Sequence, residues 1–396
     1  GEGAMKYRML TKVLALTLAG TALFSGICSP LAEGEESRFA MPSLDVPCRA
    51  AILVEQTTGA VLFEKEADTP MPIASITKVM TLLLTFEALE SGKVSREDLV
   101  PVSEHAYDMG GSQIWLEPGE QMTLDEMLRA ICVASANDAA VAVAEYIGGS
   151  EGAFVEMMNN KAAQLGMTNT HFMNACGLDT ADHYSTARDI ALLSREMLNN
   201  HPEVTEYTTI WMDSLRGGQT QLINTNKLLK RYQGINGLKT GTTSGAGVCI
   251  SASAEREGLK LIAVVLGSPS SEERFASVTT MLDYGFANFE AAALPQAPDV
   301  PGTIPVSRGE EEQVGLSYSL PDSFLLAKGE GAALNCRVQL PESLEAPLEE
   351  GQSVGSVQVY TGETLLGEYP ITSANSVKKR DISTGLRWLW QAAKTG

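Results

Sequence analysis

Ser75-Ile76-Thr77-Lys78 places a hydroxyl and an amine three positions apart. If the segment is helical, positions i and i+3 are neighbours, and a serine that can pass its proton to an adjacent amine becomes a nucleophile for acyl transfer. The lysine must be neutral to accept that proton. At its ordinary pKa of about 10.4, only about one molecule in 10³ would be neutral at pH 7, so the chemistry demands burial or a second cation nearby. A helix start also favours the negative charge that develops on an attacked carbonyl.

Spacing alone is weak evidence, because a Ser-x-x-Lys arises by chance about once in a chain of this length. Ser376-Val377-Lys378-Lys379 is a second occurrence here. Two further elements separate the two. Ser135-Ala136-Asn137 begins 60 residues after Ser75, and Lys239-Thr240-Gly241 begins 104 residues after that. Ser373-Ala374-Asn375 and Lys394-Thr395-Gly396 repeat both patterns, but in the wrong order and within 24 residues. The upstream set falls in turn on a predicted helix start, a helix–helix loop and a strand edge, which can place three groups around one cleft. Ser-x-x-Lys, Ser-x-Asn and Lys-Thr-Gly in this order are the motif set of penicillin-binding proteins and class A β-lactamases.

The elements that must position these groups follow from periodicity. Residues 50–55 and 60–64 read as strands around a Thr57-Thr58-Gly59 turn, and 74–89 as a helix in which Ile76, Val79, Met80, Leu83 and Leu84 recur at helical spacing. Thr123 and Glu126 have capping-box spacing, predicting a helix through 131, with another over 138–147. Helices over 154–164 and 186–198 enclose a loop holding Asn174, Gly177 and Asp179; strands over 247–254 and 259–267 and a helix over 272–288 follow. Strands at both ends with helices between predict an α+β fold, one antiparallel sheet flanked by helices, in which the terminal strands pair with each other. Pro295, Pro298, Pro301 and Pro305 mark a boundary. Beyond it, short alternating strands such as 356–360 and 364–369 predict a small all-β domain. The expected division is a leader at 1–34, a catalytic domain at 35–291, the β domain at 292–375 and a tail at 376–396.

Composition narrows the class. The chain has 396 residues, 44% hydrophobic and 20% charged, so it is an ordered globular protein of two or three units. Its balance of 29 basic against 49 acidic residues disfavours nucleic acid as a partner. The charge is uneven: residues 35–375 hold 21 basic and 46 acidic side chains, whereas 376–396 hold five and one. A tail helix would carry Ile382, Leu386, Leu389, Trp390 and Ala393 on one face with Trp388 near its edge, suiting an anionic membrane surface or packing on the β domain. Lys6, Arg8 and Lys12 before the apolar run 13–27 resemble an export signal, which places the working protein outside the cytoplasm. Cys48, Cys132, Cys176, Cys249 and Cys336 are widely spaced, reading as buried thiols or one disulfide, and neither they nor the four histidines form a metal motif. No cofactor is expected.

Taken together, the three motifs, the Asn-x-x-Gly-Leu-Asp loop at 174–179, the run from Lys239 to Gly247, the β domain and the basic tail closely resemble the low-molecular-mass penicillin-binding proteins that are serine D-alanyl-D-alanine carboxypeptidases of the peptidase S11 type. The resemblance implies cleavage of the terminal D-alanine from a peptidoglycan pentapeptide stem, and acylation by β-lactams. Ser75 would be the nucleophile, Lys78 the general base and Ser135 a proton relay to the leaving amine. Asn137 would bind the substrate amide, and Lys239, Thr240, Gly241 and Thr242, supported by Arg274, the terminal carboxylate. Backbone N–H groups of Ser75 and Thr242 would form the oxyanion hole. Many relatives carry His or an aromatic residue where this chain has Thr242. Two other readings remain: a class A-like β-lactamase, disfavoured because residues 171–189 contain no Glu to activate a deacylating water, and an inactive wall-binding scaffold.

Overall fold

The computed structural model describes residues 38–380 together with Trp390 and Ala393. Five strands make the central sheet: β1 (Ala50–Glu55), β2 (Val61–Lys65), β3 (Ile235–Thr243), β4 (Gly247–Arg256) and β5 (Leu259–Ser268). Their order is β2-β1-β5-β4-β3 and every pairing is antiparallel. The first and last strands of the domain do pair, from Ala50 opposite Leu266 to Glu55 opposite Leu261. This closure leaves β3, with its Lys239-Thr240-Gly241, on an edge.

Both faces of the sheet are covered, so the strands are apolar almost throughout. Successive side chains on a strand point to opposite faces. Ile52, Val54, Ile262 and Val264 accordingly join one core with the helices, while Ala51, Leu53, Ala263 and Val265 join a second core under the last helix. Six helices matter here: α1 (Lys78–Glu90), α2 (Leu124–Ala134), α3 (Asn137–Gly148), α4 (Glu151–Gln164), α5 (Ala187–Asn200) and α6 (Ser271–Asn288). The capping box at the start of α2 is present, with Thr123 Oγ1 accepting from the Glu126 N–H and the Glu126 carboxylate accepting from the Thr123 N–H.

One boundary differs in a way that matters. The helix expected from residue 74 begins as a 3₁₀ turn, Ala74–Thr77, entered through a left-handed Ala74 at φ 51°. A 3₁₀ turn has three residues per turn and eclipses i with i+3, so Ser75 and Lys78 are stacked more directly than an α-helix would stack them.

Phe289–Ala292 pairs with Phe324–Ala327 and links the first domain to the second. The second domain is a six-stranded sheet, with strands at Thr303–Ser307, Gln313–Tyr318, Leu334–Gln339, Leu344–Glu345, Ser353–Thr361 and Thr364–Ser373. The first five residues of the expected tail continue this domain as extended chain: Val377 is buried and bridges to Leu348, and Lys379 bridges to Gly309. The β domain therefore runs to about residue 380 rather than 375. Within 381–396 only Trp390 and Ala393 are described, both helical, so the amphipathic surface expected there lies outside the described residues. Among the described residues no helix is long and apolar enough to cross a membrane.

Candidate active site

The 3₁₀ turn, the α2–α3 corner and the edge strand β3 converge on the amine of Lys78. Its Nζ lies 2.7 Å from Ser75 Oγ, 3.3 Å from Ser135 Oγ, 2.6 Å from Asn137 Oδ1 and 2.9 Å from the Cys176 carbonyl. Lys78 is fully buried, and burial brings its pKa down to about 8. Two of the four partners, Asn137 Oδ1 and the Cys176 carbonyl, can only accept hydrogen bonds. A neutral amine has two hydrogens and one lone pair. With both hydrogens committed to those acceptors, the lone pair is left to the hydroxyls, which is the state a general base requires.

Lys239 is the second amine of the cluster. Its Nζ donates to Ser135 Oγ at 2.8 Å, so Ser135 bridges the two lysines. Lys239 is 2% exposed and held well below the usual lysine range by burial and by the Lys78 ammonium, with Arg274 adding to the effect. Ser135 reaches this position because it ends α2 in a left-handed conformation, φ 58°, which turns the chain sharply into α3.

Asn137 is held from its other end by the loop before α2. Its Nδ2 donates to the Gly110 carbonyl at 3.0 Å, and a Cβ on Gly111 would stand 2.6 Å from that nitrogen, so glycine is needed there. The buried Asp138 next to it accepts from the Ile114 and Leu116 N–H groups at 3.2 and 3.0 Å. Sequence reasoning missed Asp138 and Gly110–Gly111; a charged residue beside Asn137 on a helix face otherwise lined by Ala and Val was the available signal.

Two glycines let backbone close on the turn that carries Ser75. A Cβ on Gly241 would lie 2.6 Å from the Ser75 nitrogen, and one on Gly177, at φ 96°, would lie 1.9 Å from the Ala74 carbonyl. The first brings β3 against the Ser75 amide, and the second brings the 174–179 loop, with the Cys176 carbonyl, under Lys78. Asn174 Oδ1 forms that loop by accepting from the Gly177 N–H at 2.7 Å.

Five of the residues singled out by sequence, Ser75, Lys78, Ser135, Asn137 and Lys239, thus form one hydrogen-bonded cluster. Residues 36–270 match the family model described as D-alanyl-D-alanine carboxypeptidase. The chain belongs to that family.

Its second domain matches the model for the C-terminal domain of penicillin-binding protein 5, over residues 289–379. The carboxypeptidase is 39% identical over 382 residues to D-alanyl-D-alanine carboxypeptidase DacF of Bacillus subtilis, covering 96% of this chain and 97% of that protein. It is 33% identical over 373 residues to DacC of Escherichia coli, covering 91% and 92%. Among solved structures it resembles penicillin binding protein 5 from Haemophilus influenzae, with a TM-score of 0.75, 29% identity and coverage of 85% of this chain and 99% of that one. Penicillin-binding protein D2 from Listeria monocytogenes, solved in a cefotaxime-bound form, matches at 34% identity and a TM-score of 0.58, over 62% of this chain and 99% of its own.

The remaining candidate residues of this carboxypeptidase flank the cluster. Thr240 is buried, and its hydroxyl shares a 2.6 Å hydrogen bond with Thr225. Thr242 is exposed on the edge strand. Arg274 donates to the Cys249 carbonyl at 3.1 Å and to Ser271 Oγ at 3.0 Å, and its Nε has no hydrogen-bond partner. Because Cys249 pairs with Gly241 across the sheet, this guanidinium stands one strand behind the Lys-Thr-Gly segment. Burial lowers its pKa to about 10. Asp179 fastens the two walls of the cleft, accepting from Thr243 Oγ1 at 2.7 Å and from the Gly245 N–H at 2.9 Å. Each of its oxygens thus takes part in joining the 174–179 loop to the end of β3 and the turn after it. Cys48, Cys132, Cys176, Cys249 and Cys336 are all free thiols.

Proposed function

We propose that this carboxypeptidase removes the terminal D-alanine from peptidoglycan pentapeptide stems through an acyl-enzyme on Ser75. The observation that carries the reading is the dry Lys78 amine, 2.7 Å from Ser75 Oγ, with its hydrogens directed to Asn137 and the Cys176 carbonyl. Lys78 takes the Ser75 proton as Oγ bonds to the penultimate D-alanine carbonyl carbon. The N–H groups of Ser75 and Thr242 stabilise the oxyanion, where a single donor is worth about 10²–10³ in rate. Collapse expels the D-alanine amine, which takes a proton from Ser135; Ser135 recovers one from the Lys78 ammonium, and water then hydrolyses the ester. Asn137 orients the substrate amide. Lys239, Thr240 and Thr242 hold the free carboxylate, and Arg274 reinforces the positive potential from behind; this demand for an anionic terminus makes the enzyme an exopeptidase.

The same geometry accepts β-lactams, whose acylating carbonyl and carboxylate occupy the same two subsites. Removal of D-alanine limits cross-linking of the wall. The leader supports action outside the cytoplasm, and the basic tail supports attachment to the outer face of the cytoplasmic membrane. Incubation with pentapeptide and with labelled penicillin should give D-alanine and a covalent adduct located on Ser75 by peptide mass mapping. Undiminished release or labelling in Ser75→Ala would overturn the assignment. For the tail, unchanged binding to anionic vesicles after deletion of 381–396 would overturn the membrane attachment.

A further inference from the structure

Trp115 is 72% exposed, yet its backbone is held by side chains from two directions. Its φ is 59°, in the left-handed region that a bulky side chain rarely enters. The residues on either side point inward: Ile114 is 2% and Leu116 1% exposed. Their N–H groups are bound by the buried Asp138 carboxylate at 3.2 and 3.0 Å. From the other side, Arg216, itself left-handed at φ 54°, donates to the Ile114 and Trp115 carbonyls at 2.8 and 3.3 Å while pairing with Glu120 at 2.7 Å. The chain is thus strapped into an unfavourable conformation whose consequence is to turn one indole outward. Strain of this kind persists where the surrounding structure over-determines it, and it marks functional positions.

The place is specific. The same loop begins at Gly110–Gly111, which packs on Asn137, and the strap is Asp138, the next residue along α3. The loop that presents the indole is therefore anchored to Asn137 at one end and to Asp138 beside the indole, on the side of the site formed by α3. Nearby, Glu120 is paired with Arg216, which leaves Glu117 as the uncompensated charge of this loop, so nothing there would draw in an anionic lipid headgroup. A rigid aromatic face beside an acidic group suits a neutral ligand with polarised C–H bonds, and the flat face of a pyranose ring meets the negative π-cloud in that way. Peptidoglycan supplies such rings on the glycan strand from which each stem hangs. We infer that Trp115 is the stacking platform of a subsite for that glycan strand. The inference rests on the substrate proposed above and adds the part of it that lies away from the scissile bond.

The test uses full-length protein carrying Ser75→Ala, so that no turnover occurs, titrated with soluble glycan strands stripped of their peptides. Trp115→Gly in this background removes the ring while relieving the left-handed strain, so it should raise the melting temperature and weaken glycan binding about tenfold or more. Trp115→Phe keeps an aromatic face and should stay within about threefold of the parent. With Ser75 intact, Trp115→Gly should lower the ratio of kcat/KM for glycan-linked over bare pentapeptide about tenfold, through KM. Unaltered glycan binding in Trp115→Gly would overturn the platform, as would an equal loss on both pentapeptides, which would place the ring on the peptide. A change from dimer to monomer in Trp115→Gly would assign the face to a second copy instead. Failure of the parent enzyme to release D-alanine from bare pentapeptide strikes the chemical reading alone, because the titration needs no catalysis.

Discussion

Ser75-Ile76-Thr77-Lys78 and Ser376-Val377-Lys378-Lys379 share a spacing and almost nothing else. The first lies on a 3₁₀ turn, where the side chains of i and i+3 stack; the second is extended, where they point to opposite faces about 10 Å apart. Lys78 is wholly buried, whereas Lys379 is exposed at the edge of the β domain. Ser75 meets an amine, but Ser376 Oγ accepts from the backbone N–H of Glu350. The neighbouring Ser373-Ala374-Asn375 is likewise occupied with its own domain: the Ser373 hydroxyl donates to the Glu349 carbonyl and Asn375 Oδ1 accepts from the Gly315 N–H. The two settings thus differ in an eclipsed turn, a dry amine and acceptors that claim the amine's hydrogens, and the four-letter pattern is common to both.

The largest effect should come from the two lysines. Lys78→Met removes the base while keeping the buried stem, and should slow acylation by penicillin about 10³–10⁴-fold. Lys379→Met should leave the rate within about twofold, as expected for an exposed side chain remote from the chemistry. Stopped-flow or labelled-penicillin kinetics would measure both; comparable rates for Lys78→Met and the parent would remove Lys78 from the mechanism.

A second contrast concerns glycine. In Gly241→Ala the new methyl would sit 2.6 Å from the Ser75 nitrogen, displacing β3 from Ser75. Misplacing one oxyanion donor should cost about 10²–10³ in kcat with a smaller change in KM. Gly315→Ala, beside the inert Ser373-Ala374-Asn375, would meet Ala374 Cβ at 3.2 Å and Asn375 Oδ1 at 3.5 Å and should leave the kinetics unaltered. A Gly241→Ala enzyme with normal kcat would show that the Ser75 amide does not need this close approach.

Much of this architecture was legible because it is local or periodic. Thr123 and Glu126 announced the start of α2, the apolar runs at 50–55 and 259–267 announced the paired central strands, and motif order located Ser75, Ser135, Asn137 and Lys239. Three things were not legible, each for a physical reason. The Cys176 carbonyl is a backbone group, so no side-chain identity marks it as a partner of Lys78. Asp138 acts on amides 22 and 24 positions away, a separation with no periodic signature. The left-handed Ala74 and Trp115 contradict local preference and are imposed by tertiary contacts. Val377 shows the converse: an apolar side chain in a basic stretch, it joins the core of the β domain while backbone bonds to Arg308, Glu310 and Leu348 hold the rest of 376–380.

Beneath the reactive turn, His183 is 4% exposed, with Nε2 2.8 Å from Thr77 Oγ1 and Nδ1 accepting from the Met173 N–H at 2.9 Å. Nδ1 therefore carries no hydrogen, and Nε2–H donates to Thr77, one residue before Lys78. Burial lowers the pKa of this imidazole to about 4. Its folded value lies below the unfolded one of about 6.5, so between these limits the unfolded chain binds the extra proton and stability falls as pH drops. The stabilisation lost across that window is on the order of 3 kcal/mol. Urea unfolding from pH 7 to 4 should show this slope, and His183→Gln should flatten it. An unchanged slope in the variant would assign the loss to other groups.

The mildest test separates the two amines by pH alone. If neutral Lys78 is the base and its pKa is about 8, the neutral fraction rises from about one tenth at pH 7 to one half at pH 8 and levels off above. The second-order rate of acylation should therefore gain about fivefold over that interval and less than twofold beyond it. A lysine amine at its ordinary pKa of about 10.4 would stay charged through the same range, and a rate that depended on such a group would still be climbing about tenfold per pH unit at pH 9. A profile of that unbroken form would mean that the attacking serine is not served by the buried lysine; a plateau above pH 8 ties the chemistry to burial, the property that distinguishes the two Ser-x-x-Lys segments.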